Sequence, residues 1–210
     1  MAQKTIVQRL ESIDDAITIA GLADVLMDCV EGGASVSFMH PLSHSHAEKF
    51  WRGLADDVAT GRRILLVAKD DNGAIIGTVQ AVLSQPDNQP HRADIAKMLV
   101  HRRARRAGLG AALMCAIEAA AATAGKTLLV LDTVTGGDAE RLYTTLGWQL
   151  CGQIPDYALW PNGELCSTSI FYKRLGWISP VALLSKLTAA TTSRTPDFLN
   201  GAKRPPILDF

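Results

Sequence analysis

The chain has 210 residues, 48% of them hydrophobic and 20% charged, with 21 Lys+Arg balancing 21 Asp+Glu for a formal net charge of zero. That suits one globular domain with a sizeable core and room for an appendage. It excludes a general nucleic-acid binder, which carries a basic excess, and a membrane protein, because no apolar run approaches a span.

The opening segment MAQKTIVQRLESIDD lacks the long apolar stretch of a secretion signal. Cys29, Cys115, Cys151 and Cys166 stand far apart with no CxxC pair, which predicts buried free thiols in a reducing cytoplasm. Alternation in KTIVQRL (4–10) predicts a strand, and helical spacing from Ile17 to Cys29 predicts a helix over 14–30, closed by Gly32-Gly33. A second helix is expected over 46–60, with Ser45 as its cap and Gly61 as its stop. The apolar segment GGASVSFMHPLS between them reads as a loop. Residues 63–83 hold two β-branched runs around Asp70-Asp71-Asn72-Gly73, a hairpin whose Asn-Gly supplies positive φ. RADIAKMLV (92–100) is a strand, Ala107–Ala124 an amphipathic helix stopped by Gly125, and TLLVL (127–131) a short apolar strand ending at Asp132. A helix over 138–146, capped by Asp138 and ended by Gly147, precedes two strands in WQLCGQI and CSTSIFYKRL.

Only the strand–helix–strand unit over 92–131 requires a parallel pair. The order predicts an α+β (α/β sandwich) fold: a mixed, mostly antiparallel sheet with one parallel β-α-β unit and helices on both faces. We expect a domain over residues 1–176 and a C-terminal appendage over 177–210, either a short docked helix near 178–187 or a mobile tail.

Residues 101–114, HRRARRAGLGAALM, crowd four arginines ahead of Gly108 and Gly110. Glycines leading from a strand into a helix bring backbone N–H groups to an anion at the positive end of the helix dipole. A Walker loop does not fit, because no Lys follows Gly110, and a dinucleotide fingerprint fails at Leu113. Arg105-x-x-Gly108-x-Gly110, after a strand ending Met98-Leu99-Val100, resembles the acetyl-CoA-binding motif of the GNAT N-acetyltransferases. Ala139-x3-Tyr143-x3-Gly147-Trp148 is similar to a second signature of that family, and the resemblance covers about residues 4–175. GGASVSFM, RADIAKMLV, LDT, LYTTLGW and STSIFYK are similar to the tabtoxin-resistance type within it. Two positions depart from the pattern: Arg102 where the family often has Pro, and Gly136 where many members have an Asn that touches the cofactor.

The resemblance implies acetyl-CoA as cosubstrate and transfer to an amine. Such chemistry needs a base for the ammonium, N–H donors for the carbonyl oxygen and a proton or hydrogen bond for the departing thiolate. Asp94, opening the strand before the loop, and Asp132, ending its neighbour, are carboxylates that two strands flanking one crossover can bring together. The resemblance implies that they supply the base; otherwise they are a surface charge and a strand-end cap. Tyr143, with an ordinary phenol pKa of about 10, is the candidate acid for a thiolate of about 8.5, or else a half-buried core tyrosine. Met98, Leu99 and Val100 line the thioester, with Leu99 and Val100 offering N–H groups. Arg105, Arg106, Gly108, Leu109, Gly110 and Ala111 hold the pyrophosphate, and Arg102 and Arg103 lie near the 3′-phosphate or in solvent.

HPLSHSH (40–46) carries no carboxylate cluster and is read as the approach to a helix, not a metal site. Cys115 has no nearby His, so direct transfer in a ternary complex is expected over an acyl-cysteine. The leading expectation is acetylation of a small-molecule amine, of an amino-acid-like or β-lactam antimetabolite kind, which would make the protein an antibiotic-resistance enzyme. Acetylation of a protein or peptide, or a non-catalytic CoA-binding module, is the rival. No nucleic-acid or membrane partner and no metal are expected, and a homodimer stays open.

Overall fold

A computed structural model describes residues 5–176, so the expected appendage, with its helix near 178–187, lies outside the described residues. Seven strands form one sheet: β1 (Ile6–Leu10), β2 (Arg63–Lys69), β3 (Ile75–Val82), β4 (Arg92–Val100), β5 (Leu128–Val134), β6 (Gln149–Leu159) and β7 (Leu165–Arg174). Their spatial order is β1-β2-β3-β4-β5-β7-β6, and among the described residues the only parallel pair is β4–β5, joined by the crossover helix α4 (Leu109–Thr123). The expected mixed sheet is therefore present.

Helices α1 (Ala16–Glu31) and α2 (His44–Arg52), followed by the single turn α3 (Ala55–Ala59), cover one face; α4 and α5 (Asp138–Thr145) cover the other. Strand alternation divides the core between them. Leu65 and Val67 face Leu22, Leu26 and Trp51 of α1 and α2, whereas Ile64 and Leu66 face Leu113, Met114 and Ile117 of α4. Each fully buried Leu or Ile contributes about 2 kcal/mol, so both faces hold the sheet firmly.

Several local expectations change. The single helix over 46–60 is two. Ser43, not Ser45, caps α2 by accepting the His46 N–H at 3.2 Å, and Gly53 closes it by donating to Lys49 at 3.0 Å. The hairpin turn is a five-residue loop in which the Asp70 carboxylate accepts the N–H groups of Asn72 and Ala74, each at 3.0 Å, and only Gly73 takes positive φ. Gly137, not Asp138, stands at the cap of α5. Strand β5 runs on through Asp132 to Val134 because β7 pairs it along its whole length. All four cysteines are free, but Cys115 and Cys151 are exposed.

Candidate active site

A defect in the sheet creates the site. Between the rungs Thr78↔Leu99 and Gln80↔Ala96, two β4 residues, Lys97 and Met98, oppose the single β3 residue Val79. This is a β-bulge, and Lys97 adopts φ +50°, rare for a residue with a side chain. Registered pairing of β4 with β5 covers only three rungs and ends at Asp94↔Val130, although β4 continues to Val100 and β5 to Val134. The strands part, and a cavity of about 910 Å³ occupies the gap. His101 donates its N–H to Ile76 on β3 at 2.9 Å. Because N–H groups alternate along an extended strand, Val100 directs its own toward the gap and Leu99 directs its toward β3. Of the two donors expected there, Val100 is the one that faces the cavity; Leu99 and Met98 contribute lining.

Below the gap, the chain turns from β4 into α4 with Arg106 at φ +63° and Gly108 at φ +78°. The first helical bond runs from the Ala112 N–H to Gly108 at 3.1 Å, leaving the N–H groups of Leu109, Gly110 and Ala111 without a helical acceptor. Left-handed turns and the free end of a 15-residue helix make a concave anion cradle. Gly110 permits close approach: a Cβ there would lie 3.0 Å from Leu142 of α5.

The four arginines diverge. Arg102 pairs with Asp28 at 2.8 Å and Glu31 at 3.2 Å, and Arg103 with Asp70 at 3.4 Å; neither lines this cavity. Burial pushes the Asp28 carboxyl up, but the Arg102 backbone N–H and guanidinium outweigh it and hold the group below its ordinary value. Arg105 and Arg106 do line the cavity. Arg105 donates Nε to the Val100 carbonyl at 3.1 Å, while Arg106, 84% exposed, meets Asp138 at 2.9 Å. Gly136 has φ +79° and offers only backbone, its carbonyl accepting from Arg141 at 3.0 Å.

Tyr143 rises from α5 into the cavity wall and is only 5% exposed. Trp148 and Phe171 hold it at centroid distances of 6.0 and 6.2 Å, and Trp148 is fixed in turn by donating Nε1 to Glu118 at 2.8 Å. Burial, and then the nearby Asp132 charge, push the Tyr143 phenol well above its ordinary value. It keeps its proton throughout the physiological range.

Asp94 and Asp132 project from the same sheet face, since Asp94 pairs with Val130 and Asp132 lies two residues on. They do not converge. Asp132 is exposed in the cavity. Asp94 is not part of its lining: its oxygens accept Arg92 Nη1 at 2.7 Å and Gln85 Nε2 at 3.1 Å. Asp94→Asn is accordingly expected to change turnover less than about three-fold while lowering stability by about 1 kcal/mol or less, as for a half-exposed ion pair, read from steady-state rates and a thermal melt.

Lys97 was not anticipated. Its Nζ donates to Ser37 Oγ at 3.1 Å and lies 5.6 and 5.9 Å from the ring centroids of Phe50 and Phe38. Burial lowers its pKa, opposed by the Asp132 charge and reinforced by Arg63. The loop carrying Ser37 and Phe38 is pinned across the cavity to the far hairpin: Ser35 donates to the Leu159 carbonyl at 2.7 Å and His40 to that of Pro161 at 3.1 Å. A lysine in RADIAKMLV reads as an ordinary strand charge; nothing local marks the bulge that turns it inward.

No group of three or more His, Cys, Asp or Glu side chains among the described residues is placed to hold a metal ion. His44 instead lies 3.5 Å from Asp24 and 3.6 Å from Glu48 in the first turn of α2.

Residues 30–148 match the acetyltransferase (GNAT) family. Among solved structures, the fold is similar to a putative acetyltransferase from Acinetobacter baylyi, with TM-score 0.68 and 14% identity over 85% of this chain and 97% of that one. It is similar to the putative acetyltransferase yncA of Salmonella typhimurium, solved with its cofactor acetyl-CoA, with TM-score 0.66 and 17% identity over 81% and 94%. A phosphinothricin acetyltransferase from Sinorhizobium meliloti, in complex with acetyl-CoA, gives TM-score 0.66 and 18% identity over 86% and 92%.

Proposed function

The chain belongs to the GNAT acetyltransferase family, whose members are acetyl-CoA-dependent N-acetyltransferases, and from that premise we propose that it acetylates the primary amine of a small molecule by direct transfer in a ternary complex. The observation that carries this reading is the through-sheet gap. An anion cradle at the start of α4 lies on one side, and Asp132 and Lys97 open into the same cavity from the other face. Two ligands entering from opposite faces would meet between β4 and β5.

In this reading Arg105, Arg106 and the N–H groups of Gly108, Leu109, Gly110 and Ala111 hold the pyrophosphate. The unpaired edge of β4 from Met98 to Val100 receives the extended arm. Acetyl-CoA supplies an acetyl group already activated as a thioester. Asp132 takes the proton from the acceptor ammonium, Val100 donates its N–H to the carbonyl oxygen, and Tyr143 donates a hydrogen bond to the departing sulfur. Asp94 acts at one remove, fixing Arg92 and Gln85 where the strands begin to part. An amino-acid-like or β-lactam acceptor, and hence a role in resistance to an antimetabolite, follows from the similarity to the tabtoxin-resistance type. No described helix is long and apolar enough to cross a membrane. Four free thiols support work in a reducing compartment, which we take to be the cytoplasm.

Calorimetry with acetyl-CoA, followed by a screen of small amines against peptides that reads free thiol release, tests the proposal. Absence of acetyl-CoA binding sinks it, and turnover of peptides alone transfers the activity to proteins. Gly108→Val is expected to weaken acetyl-CoA binding about ten-fold or more and to cost about 2 kcal/mol of stability. No atom lies within 4 Å of a Cβ at position 108, so the cost is conformational: a β-branched residue is forced into the left-handed region at the rim of the cradle.

A further inference from the structure

Lys97 is only partly satisfied by its surroundings. Its ammonium has three N–H donors, and the Ser37 hydroxyl takes one of them. Two aromatic faces attract the charge but accept no ordinary hydrogen bond. Arg63 and Asp132, the latter on the same sheet face, stand within electrostatic range of the Lys97 ammonium, and Asp132 closes no ion pair with it. Ser37, like Lys97, is held at positive φ, +75°, so two strained residues meet at this one contact. Strain of that kind persists where surrounding structure enforces it, and clusters at binding sites. Met39, Tyr157 and Trp160 add apolar and aromatic surface to the same cavity.

Resting on the reading of Asp132 as the group that meets the acceptor amine, we propose that Lys97 binds a carboxylate borne next to that amine, so that the acceptor is a free amino acid or a close analogue with an apolar or aromatic side chain. The juxtaposition of one ammonium and one carboxylate in a single cavity complements a zwitterion of opposite order. A phosphate dianion fits less well, because Asp132 faces the same space. A peptide amino terminus has an amide where the carboxylate should be, and a plain alkylamine has nothing there.

Matched pairs test this: phenylalanine with phenethylamine, tryptophan with tryptamine, lysine with cadaverine, and phenylalaninamide as the uncharged control. Each is titrated into the CoA-loaded protein by calorimetry and assayed with acetyl-CoA for thiol release. For at least one pair, the carboxylate-bearing member should bind about 10- to 100-fold more tightly than its partner, the range of a charge-assisted hydrogen bond. Lys97→Gln should bring that ratio to within about two-fold, and Lys97→Arg should restore most of it. Equal affinity within every pair, no binding of any member, or a ratio that survives Lys97→Gln overturns the proposal. Phenylalaninamide binding as tightly as phenylalanine does so in the unaltered protein. Carboxylates that bind through Lys97 but release no thiol leave the subsite standing and overturn the small-molecule acetyl-transfer reading instead.

Discussion

Asp132→Asn is expected to lower kcat/KM about 10²- to 10³-fold at neutral pH, the range for loss of a positioned general base, while leaving acetyl-CoA affinity within about two-fold. A primary alkylammonium with a pKa near that of lysine, about 10.4, is almost wholly protonated at pH 7, so only a small fraction can attack without help. Asp132 is the carboxylate that the sheet brings into the cavity, and it stands across the gap from the Val100 N–H that would receive the carbonyl oxygen. The pH dependence separates a base from a mere anchor. If Asp132 removes the proton, the variant should recover as pH rises and solvent supplies free amine, and its deficit should shrink toward the amine pKa. A deficit that stays constant from pH 7 to 10 would show that Asp132 only orients the acceptor.

How far the sequence could be read depended on whether a feature was local. The bounds of β4 were legible, and those of α4 to within two residues, expected over Ala107–Ala124 and found over Leu109–Thr123. Apolar spacing and a helix stop act within a few residues, while the left-handed Gly108 ahead of the helix is not marked by spacing. The same stretch pointed to free N–H donors at the start of α4, and Arg105 and Arg106, not Arg102 and Arg103, line the cavity beside them. What decided that division in three dimensions was not legible: Asp28 and Asp70, 74 and 33 residues distant, claim the other two arginines. Asp132 was placed at a strand end because apolar character stops at Leu131; β7 carries the strand further by pairing Asp132 with Ile170. The carboxylate pair was expected to converge because both stand on strands flanking the crossover. Gln85 and Arg92, whose roles no spacing announces, hold Asp94 elsewhere. Lys97 was missed for the most distributed reason. Its inward turn exists only because β4 has one more residue than β3 between two paired rungs, a property of two strands together.

Tyr143→Phe is expected to lower kcat about 10²-fold, with KM for acetyl-CoA nearly unchanged, since the proposed hydrogen bond would be made to a sulfur that gains charge only as the bond breaks. The ring contacts with Trp148 and Phe171 survive the substitution, so the melting temperature should move by no more than a few degrees. The structure alters the role expected from an ordinary phenol. Burial and the Asp132 charge raise the Tyr143 pKa, whereas an alkyl thiol has a pKa of about 8.5, so full proton transfer to the thiolate runs uphill. In the proposed reading Tyr143 therefore would stabilise developing charge while keeping its proton. The profile of kcat against pH should then show no fall near pH 10 attributable to this residue, because the raised pKa extends the protonated form to more alkaline conditions. An acyl donor with a more acidic thiol offers a sharper test. Its leaving group needs less stabilisation, so the ratio of unaltered protein to Tyr143→Phe should narrow as the thiol pKa falls. A ratio independent of the leaving thiol would mean that Tyr143 acts through packing, and that the sulfur finds its hydrogen bond elsewhere.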